Sequence, residues 1–173
     1  MKRRLLFLFA VFMVATSVGW GQTDLYVSTS GSDGNGGGVE APLATIAKAI
    51  EKAADGATIR VAEGTFPVSS TISKALTIVG EGNDKSVLKG YLIISVGTQK
   101  NVSFQNVQLT NDVSVYSSPT KPVPLILMKD QSAVLSLRGC ALINNAKGWG
   151  NGYGEGVYTL IPQHYSLTLF ISA

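Results

Sequence analysis

Between residues 43 and 54 the apolar positions Leu43, Ile46, Ala47, Ile50, Ala53 and Ala54 recur at helical spacing. Lys48, Glu51 and Lys52 fall towards the other side. The pattern predicts one amphipathic helix over about 43–55. Asp55-Gly56 marks its end, with Gly56 suited to the left-handed turn that closes a helix. After Gly56 the period drops to two. Short β-rich runs at 58–61, 76–79 and 91–96 are bounded by Gly, Asn, Asp or Pro. Ahead of the helix, Leu25-Tyr26-Val27-Ser28 alternates as a short strand. The stretch STSGSDGNGGG that follows is too rich in glycine and small polar residues to be core, and reads as a loop.

The β-rich part repeats itself. VSFQNVQLTN from Val102 aligns with LSLRGCALIN from Leu135 and LTLFISA from Leu167, at nearly equal steps along the chain. Apolar residues occupy the first and third positions of each copy: Val102 and Phe104, Leu135 and Leu137, Leu167 and Leu169. A second apolar pair follows in the two full copies, and LTIVGEG from Leu76 is a looser forerunner. A regular step of this size carried by short strands predicts a solenoid, whose coils each bury an inner face only by stacking. The first coil of such a stack has an open apolar end and an unpaired edge, which the helix is suited to cover.

The run YVSTSGSDGNGG, followed by APLATIAKAIEKAADGATIRVAEGTF, resembles the start of secreted right-handed parallel β-helix proteins of the pectate-lyase-like superfamily. Ala57 stands where that family commonly has Asp, and Phe66 where it has Tyr. The later LINNAKGWGNGYGEGVYTLIPQHYSLTL is similar to repeats of bacterial surface adhesin β-helices. The resemblance implies an all-β, right-handed parallel β-helix with a short N-terminal capping helix. It does not imply one reaction, because this fold serves lyases, hydrolases, epimerases and binders. The last copy stops at Ala173 without a polar cap, so a truncated final coil is expected.

Residues 1–21 read as a secretory signal: Lys2, Arg3 and Arg4, an apolar run, then small residues at Ser17, Gly19 and Gly21. The alternative is an uncleaved anchor helix lengthened through Val14 to Trp20. The expected domain is then 22–173, with coils over about 57–173, secreted or at the cell surface, and without a membrane span after cleavage. Fourteen Lys+Arg against eleven Asp+Glu give a net charge of +3, and the three basic residues of the signal account for all of it. With no basic stripe interleaved with aromatics, nucleic acid is not an expected partner. A lone cysteine, Cys140, forms no intramolecular disulfide and is expected to be a small buried residue.

Three stretches offer chemistry. DGNGGG begins like a calcium loop, but Ala44 stands where a bidentate Glu belongs, leaving a looser metal site at Asp33 and Asn35 with Glu40, or a plain turn. GEGNDKSVLKG carries Glu81, Asn83, Asp84, Lys85 and Lys89. A polysaccharide lyase needs carboxylates for calcium and a Lys or Arg to remove the proton alpha to a uronate carboxyl. Asp84 is the candidate ligand there, Lys85 and Lys89 the candidate bases, and an ordinary turn the plainer reading. In GWGNGYGEGVY, Trp149, Tyr153 and Tyr158 are candidate sugar-stacking residues, or a loop packed over the wall. Asn106, Asn111, Asn144 and Asn145 fit a structural ladder along the stack. His164 has no second histidine or G-x-S-x-G motif to complete a triad or zinc site.

Together these features predict a β-helix module that binds extracellular carbohydrate or a surface protein and is non-catalytic as it stands. No cofactor is required, calcium being the one ion with ligands on offer. The alternative is the N-terminal part of a calcium-dependent polysaccharide lyase or a glycoside hydrolase.

Overall fold

The computed structural model describes residues 24–97, 99–111, 125–129, 133–144 and 157–159. The expected signal segment, the third repeat copy from Leu167 with its incomplete coil, Asn145 and His164 lie outside the described residues.

In chain order the elements are β1 (Asp24–Val27), α1 (Ile46–Lys52), β2 (Ala57–Val61), β3 (Gly64–Ile72), β4 (Leu76–Gly80) and β5 (Ser86–Ile94). There follow β6 (Asn101–Gln105), β7 (Gln108–Asn111), β8 (Ile126–Met128), β9 (Val134–Arg138), β10 (Ala141–Asn144) and β11 (Val157–Thr159). Among the described residues every strand pair is parallel. One sheet runs β1-β2-β4-β6-β9, so each neighbour is one coil further along the chain. A second sheet holds β3, β5, β7, β8, β10 and β11.

That second sheet serves two walls. β3 pairs along the whole of β5, from Gly64 with Ser86 to Ile72 with Ile94. Beyond β5 the sheet divides: Val87 to Lys89 take β7, and Leu92 to Ile94 take β8. The fork falls at Gly90, which has φ of 146°, and a Cβ there would overlap the carbonyl oxygen of Val68. Only glycine lets the two backbones approach this closely at a bend. The result is a three-sided parallel β-helix.

Alternation along each strand sends one set of residues inward, and stacking aligns them. Leu25, Ile59, Ile78, Phe104 and Leu137 succeed one another in register on the first wall. Phe66, Leu88 and Leu109 do so on the second, and Ile72, Ile94 and Met128 on the third. All of these are buried. Full burial of such side chains contributes about 1.5–3 kcal/mol each. The exposed ion pairs, such as Lys48 with Glu51, contribute at most about 1 kcal/mol each. The interior therefore decides stability.

The repeat expected from the sequence holds where it was clearest, since Val102 pairs with Leu135 and Phe104 with Leu137. The looser copy joins the same stack, with Leu76 beside Val102. The even step does not extend to the whole stack. The coil from Leu25 to Ile59 is close in length to that from Phe104 to Leu137, but those from Ile59 to Ile78 and from Ile78 to Phe104 are shorter. Pairing fixes only the strands, and the corners absorb the differences. At one corner Asn106 and Gly139 both adopt positive φ, 53° and 58°, with the Asn106 N–H donating to the Arg138 carbonyl. The asparagine ladder is thus interrupted by Gly139 there, while Asn111 and Asn144 are in register. Cys140 is half-buried against the core, where burial pushes its thiol pKa up.

α1 is shorter than its predicted span, and its inner face differs in detail. Ile46, Ala49, Ile50 and Ala53 are buried, Ala47 and Ala54 exposed. Leu43 precedes the helix and bridges Val27. Thr45 is the N-cap, its side chain accepting from the Lys48 N–H at 3.1 Å. At the other end the Lys74 ammonium donates to the carbonyls of Glu51 (3.0 Å) and Ala53 (2.6 Å), a cation satisfying the orphan acceptors of a helix C-terminus. Gly56, at φ of 84°, lies in the turn into β2, its N–H donating to Ala75. α1 packs on β1 and β3, the outermost strands of both sheets. The free backbone edge of β1, however, is covered by the loop: Tyr26 donates to Gly37 and accepts from Leu43, 2.8 Å each.

Gly90→Ala is expected to destabilise the chain by about 2 kcal/mol or more. At Gly36, where an added Cβ meets nothing, the same change should stay within about 0.5 kcal/mol. Denaturant melts of both variants check this.

Candidate functional site

Outward-facing positions of the first sheet form a floor. Tyr26, Arg60 and Val79 stand side by side in register on β1, β2 and β4. Each alternates with buried neighbours such as Leu25, Ile59 and Ile78, so it projects away from the core. Over this floor opens a groove of about 560 Å³. One wall is the loop after β1, contributing Ser28, Ser30, Val39, Glu40 and Pro42. The other is formed where β2 and β4 end, at Val61, Ala62, Gly80 and Glu81.

A glycine-rich loop holds a wall only if something fixes it, and here hydrogen bonds do. Ser28 donates to Leu43 at 2.9 Å and Ser32 to Pro42 at 3.0 Å. The Asp33 carboxylate accepts from the Ala44 and Thr45 N–H groups (3.0 and 2.9 Å) and from the Thr45 hydroxyl (2.8 Å). The Asn35 amide donates to the Pro42 carbonyl at 2.9 Å. Desolvation pulls the Asp33 carboxyl upward, but the hydrogen bonds from Thr45 and Ala44 and the charge of Lys48 outweigh it and hold it below the ordinary carboxylate range.

The far wall has its own anchor in Ser86, which is fully buried. Its hydroxyl accepts the Glu81 N–H at 2.9 Å and donates towards the carbonyls of Val61 and Ala62, 3.0 Å from each. One side chain thereby ties together three residues lining the groove. On the floor, Arg60 Nε donates to Asp24 Oδ2 at 3.0 Å. The guanidinium is held above its ordinary pKa first by that hydrogen bond, then by the Asp24 charge.

The structure disperses the residues singled out in the sequence. Asp33 and Asn35 point into the loop and are engaged by protein groups. Asp84 and Lys85 lie in the turn leading into β5, where Ser86 donates to Gly82, and Lys89 lies exposed on the second wall of the helix. None of these five lines the groove, whereas Glu81 from the same turn and Glu40 from the loop do. Among the described residues no three His, Cys, Asp or Glu come together as a metal site. Trp149 and Tyr153 lie outside the described residues. Tyr158 sits on β11, paired with Leu127 on the third wall, away from the first sheet. Tyr26, Arg60 and Ser86 were not recognisable as site residues. The signal available for the first two was their place between the inward positions of a strand.

The parallel β-helix, with its first coil covered by α1 and the loop, is of the pectate-lyase-like class. A solved structure of a pectin methylesterase in complex with a hexasaccharide shares the fold, with a TM-score of 0.52 at 19% identity, over 78% of this chain and 45% of that one. Within that class, the chain belongs to the family described as "Protein of unknown function (DUF1565)", whose model matches residues 29–158. It is 42% identical over 72 residues to the "Uncharacterized protein YwoF" of Bacillus subtilis (strain 168), covering 38% of this chain and 15% of that protein. It is 38% identical over 68 residues to "Pectate lyase PEL9" of Emericella nidulans, covering 39% of this chain and 16% of that protein. The match thus spans about one-sixth of the length of these curated relatives.

Because the Asp33 pKa is lowered on folding, its contribution is complete above the ordinary carboxylate range and is lost as pH falls through the folded value. Asp33→Ala is expected to cost about 1 kcal/mol at neutral pH, the loss of a capping-type acceptor. The variant should also lose less stability than the parent on acidification. Denaturant melts at neutral and acidic pH measure both effects.

Proposed function

We propose that this chain is a secreted or cell-surface β-helix module that binds extracellular carbohydrate and is non-catalytic as it stands. The observation that carries this reading is the groove on the first sheet. It offers an aromatic ring at Tyr26, hydroxyls at Ser28 and Ser30, a guanidinium at Arg60 and carboxylates at Glu40 and Glu81. A sugar ring presents an apolar face and a rim of hydroxyls, and it is held by an aromatic surface flanked by donors and acceptors. The likeness to a pectate lyase, and in fold to a pectin methylesterase, favours an extracellular polysaccharide as occupant. Among the described residues no helix is long and apolar enough to cross a membrane.

A second reading is favoured by the pectate lyase likeness alone: the chain is the first part of a polysaccharide lyase or glycoside hydrolase, with calcium held near Asp84 and Lys85 or Lys89 as base. Calcium-dependent release of unsaturated uronides, seen by their ultraviolet absorbance, would support it. Their absence on pectate, alginate and chondroitin would discard the lyase, and the absence of new reducing ends on a panel of polysaccharides would discard the hydrolase.

A glycan array probed with the full chain tests the first reading, and the expected result is retention on at least one extracellular polysaccharide. Removing an aromatic anchor from a binding surface costs about 2 kcal/mol. Tyr26→Ala should therefore weaken binding about thirtyfold. Absence of binding across the array would discard the carbohydrate reading.

A further inference from the structure

The charges lining the groove bear on which glycans it takes, an inference that rests on the carbohydrate-binding reading. Glu40 from the loop after β1 and Glu81 from the end of β4 bring two carboxylates to the lining. Among the described residues the lining has a single cation, Arg60, and its Nε is already engaged by Asp24 at 3.0 Å. What the floor offers an incoming anion is therefore a guanidinium largely balanced by a carboxylate of this chain. The walls add two more negative charges, and no described lysine joins the lining. Among the described residues there is also no acidic or histidine cluster able to hold a bridging metal ion.

We propose that this groove selects uncharged glycans and rejects polyuronates. The guanidinium N–H groups of Arg60 not engaged by Asp24 or Tyr26, the mutually bonded hydroxyls of Ser28 and Ser30, and the carboxylates of Glu40 and Glu81 can hydrogen-bond to sugar hydroxyls, and carboxylates accept such bonds strongly. A uronate ring in the same position brings its own carboxylate within reach of Glu40 and Glu81. Like charges a few ångströms apart at a solvated surface repel enough to shift affinity about tenfold. Val39, 63% exposed on the wall, adds an apolar contact indifferent to charge.

Matched ligands isolate this effect. Calorimetric titration of the full chain would compare hexagalacturonate, its fully methyl-esterified form, and neutral hexaoses of glucose, xylose and mannose, each with and without calcium. The expected result is binding of the ester or of a neutral hexaose, with hexagalacturonate about tenfold weaker or more. Raising salt from about 20 mM to about 500 mM should narrow that gap by screening. The double change Glu40→Gln with Glu81→Gln should narrow it at least about fivefold. Hexagalacturonate binding as tightly as its ester, with or without calcium, would overturn the charge selection while leaving carbohydrate binding intact. A gap unmoved by both salt and the double variant would overturn it too. No binding of any probe would remove the carbohydrate-binding reading as well.

Discussion

Parallel pairing in register is the constraint from which the rest follows. In a β-strand neighbouring side chains face opposite ways, so slipping one coil by a single residue would turn its whole inner set outward. Leu25, Ile59, Ile78, Phe104 and Leu137 occupy equivalent places in five successive strands, and all are buried. Hydrogen bonds between coils satisfy the backbone, while the aligned apolar column supplies the free energy. With the inner positions committed to packing, the outer ones are left for other uses.

The groove grows out of that division. Its floor consists of residues that alternate with the core, and its walls are segments that leave the ladder and are tied back by polar groups. Asp33 fastens the loop wall to the start of α1. Ser86, without touching solvent, fastens the far wall, at the ends of β2 and β4, to the start of β5. Neither residue need contact a ligand. Each sets where Glu40 or Glu81 stands relative to Tyr26 and Arg60, so the shape of the opening depends on buried or inward-pointing polar atoms.

The architecture was legible because its signals are periodic. The helix at Ile46 and Ile50 and the pairing of Val102 with Leu135 follow from spacing, and the glycine-rich loop from its composition. The groove was much less legible. Arg60 lies in a strand whose inner residues draw attention, and nothing local marks its outer face as a floor. It meets Tyr26 only because the whole loop and helix between them fold back and bring β2 beside β1. Asp33 and Asn35 show the converse: oxygen-bearing side chains at metal-like spacing here fold their own loop. Sequence carries the residue types, but whether a carboxylate faces a ligand or an amide depends on long-range closure of the coil.

Unequal coil lengths bear on how this molecule can change. The long coil from Leu25 to Ile59 and the short one from Ile59 to Ile78 each add one strand to the first wall. Surplus chain is carried outside the ladder, like a balcony that leaves the storeys above and below undisturbed. Changing the exposed positions of the segment between β1 and α1, such as Val39 and Glu40, would reshape the opening while Leu43 keeps its place in the core. At those exposed positions recognition is separable from architectural integrity, and a lineage could retune its ligand there while inheriting the tower intact.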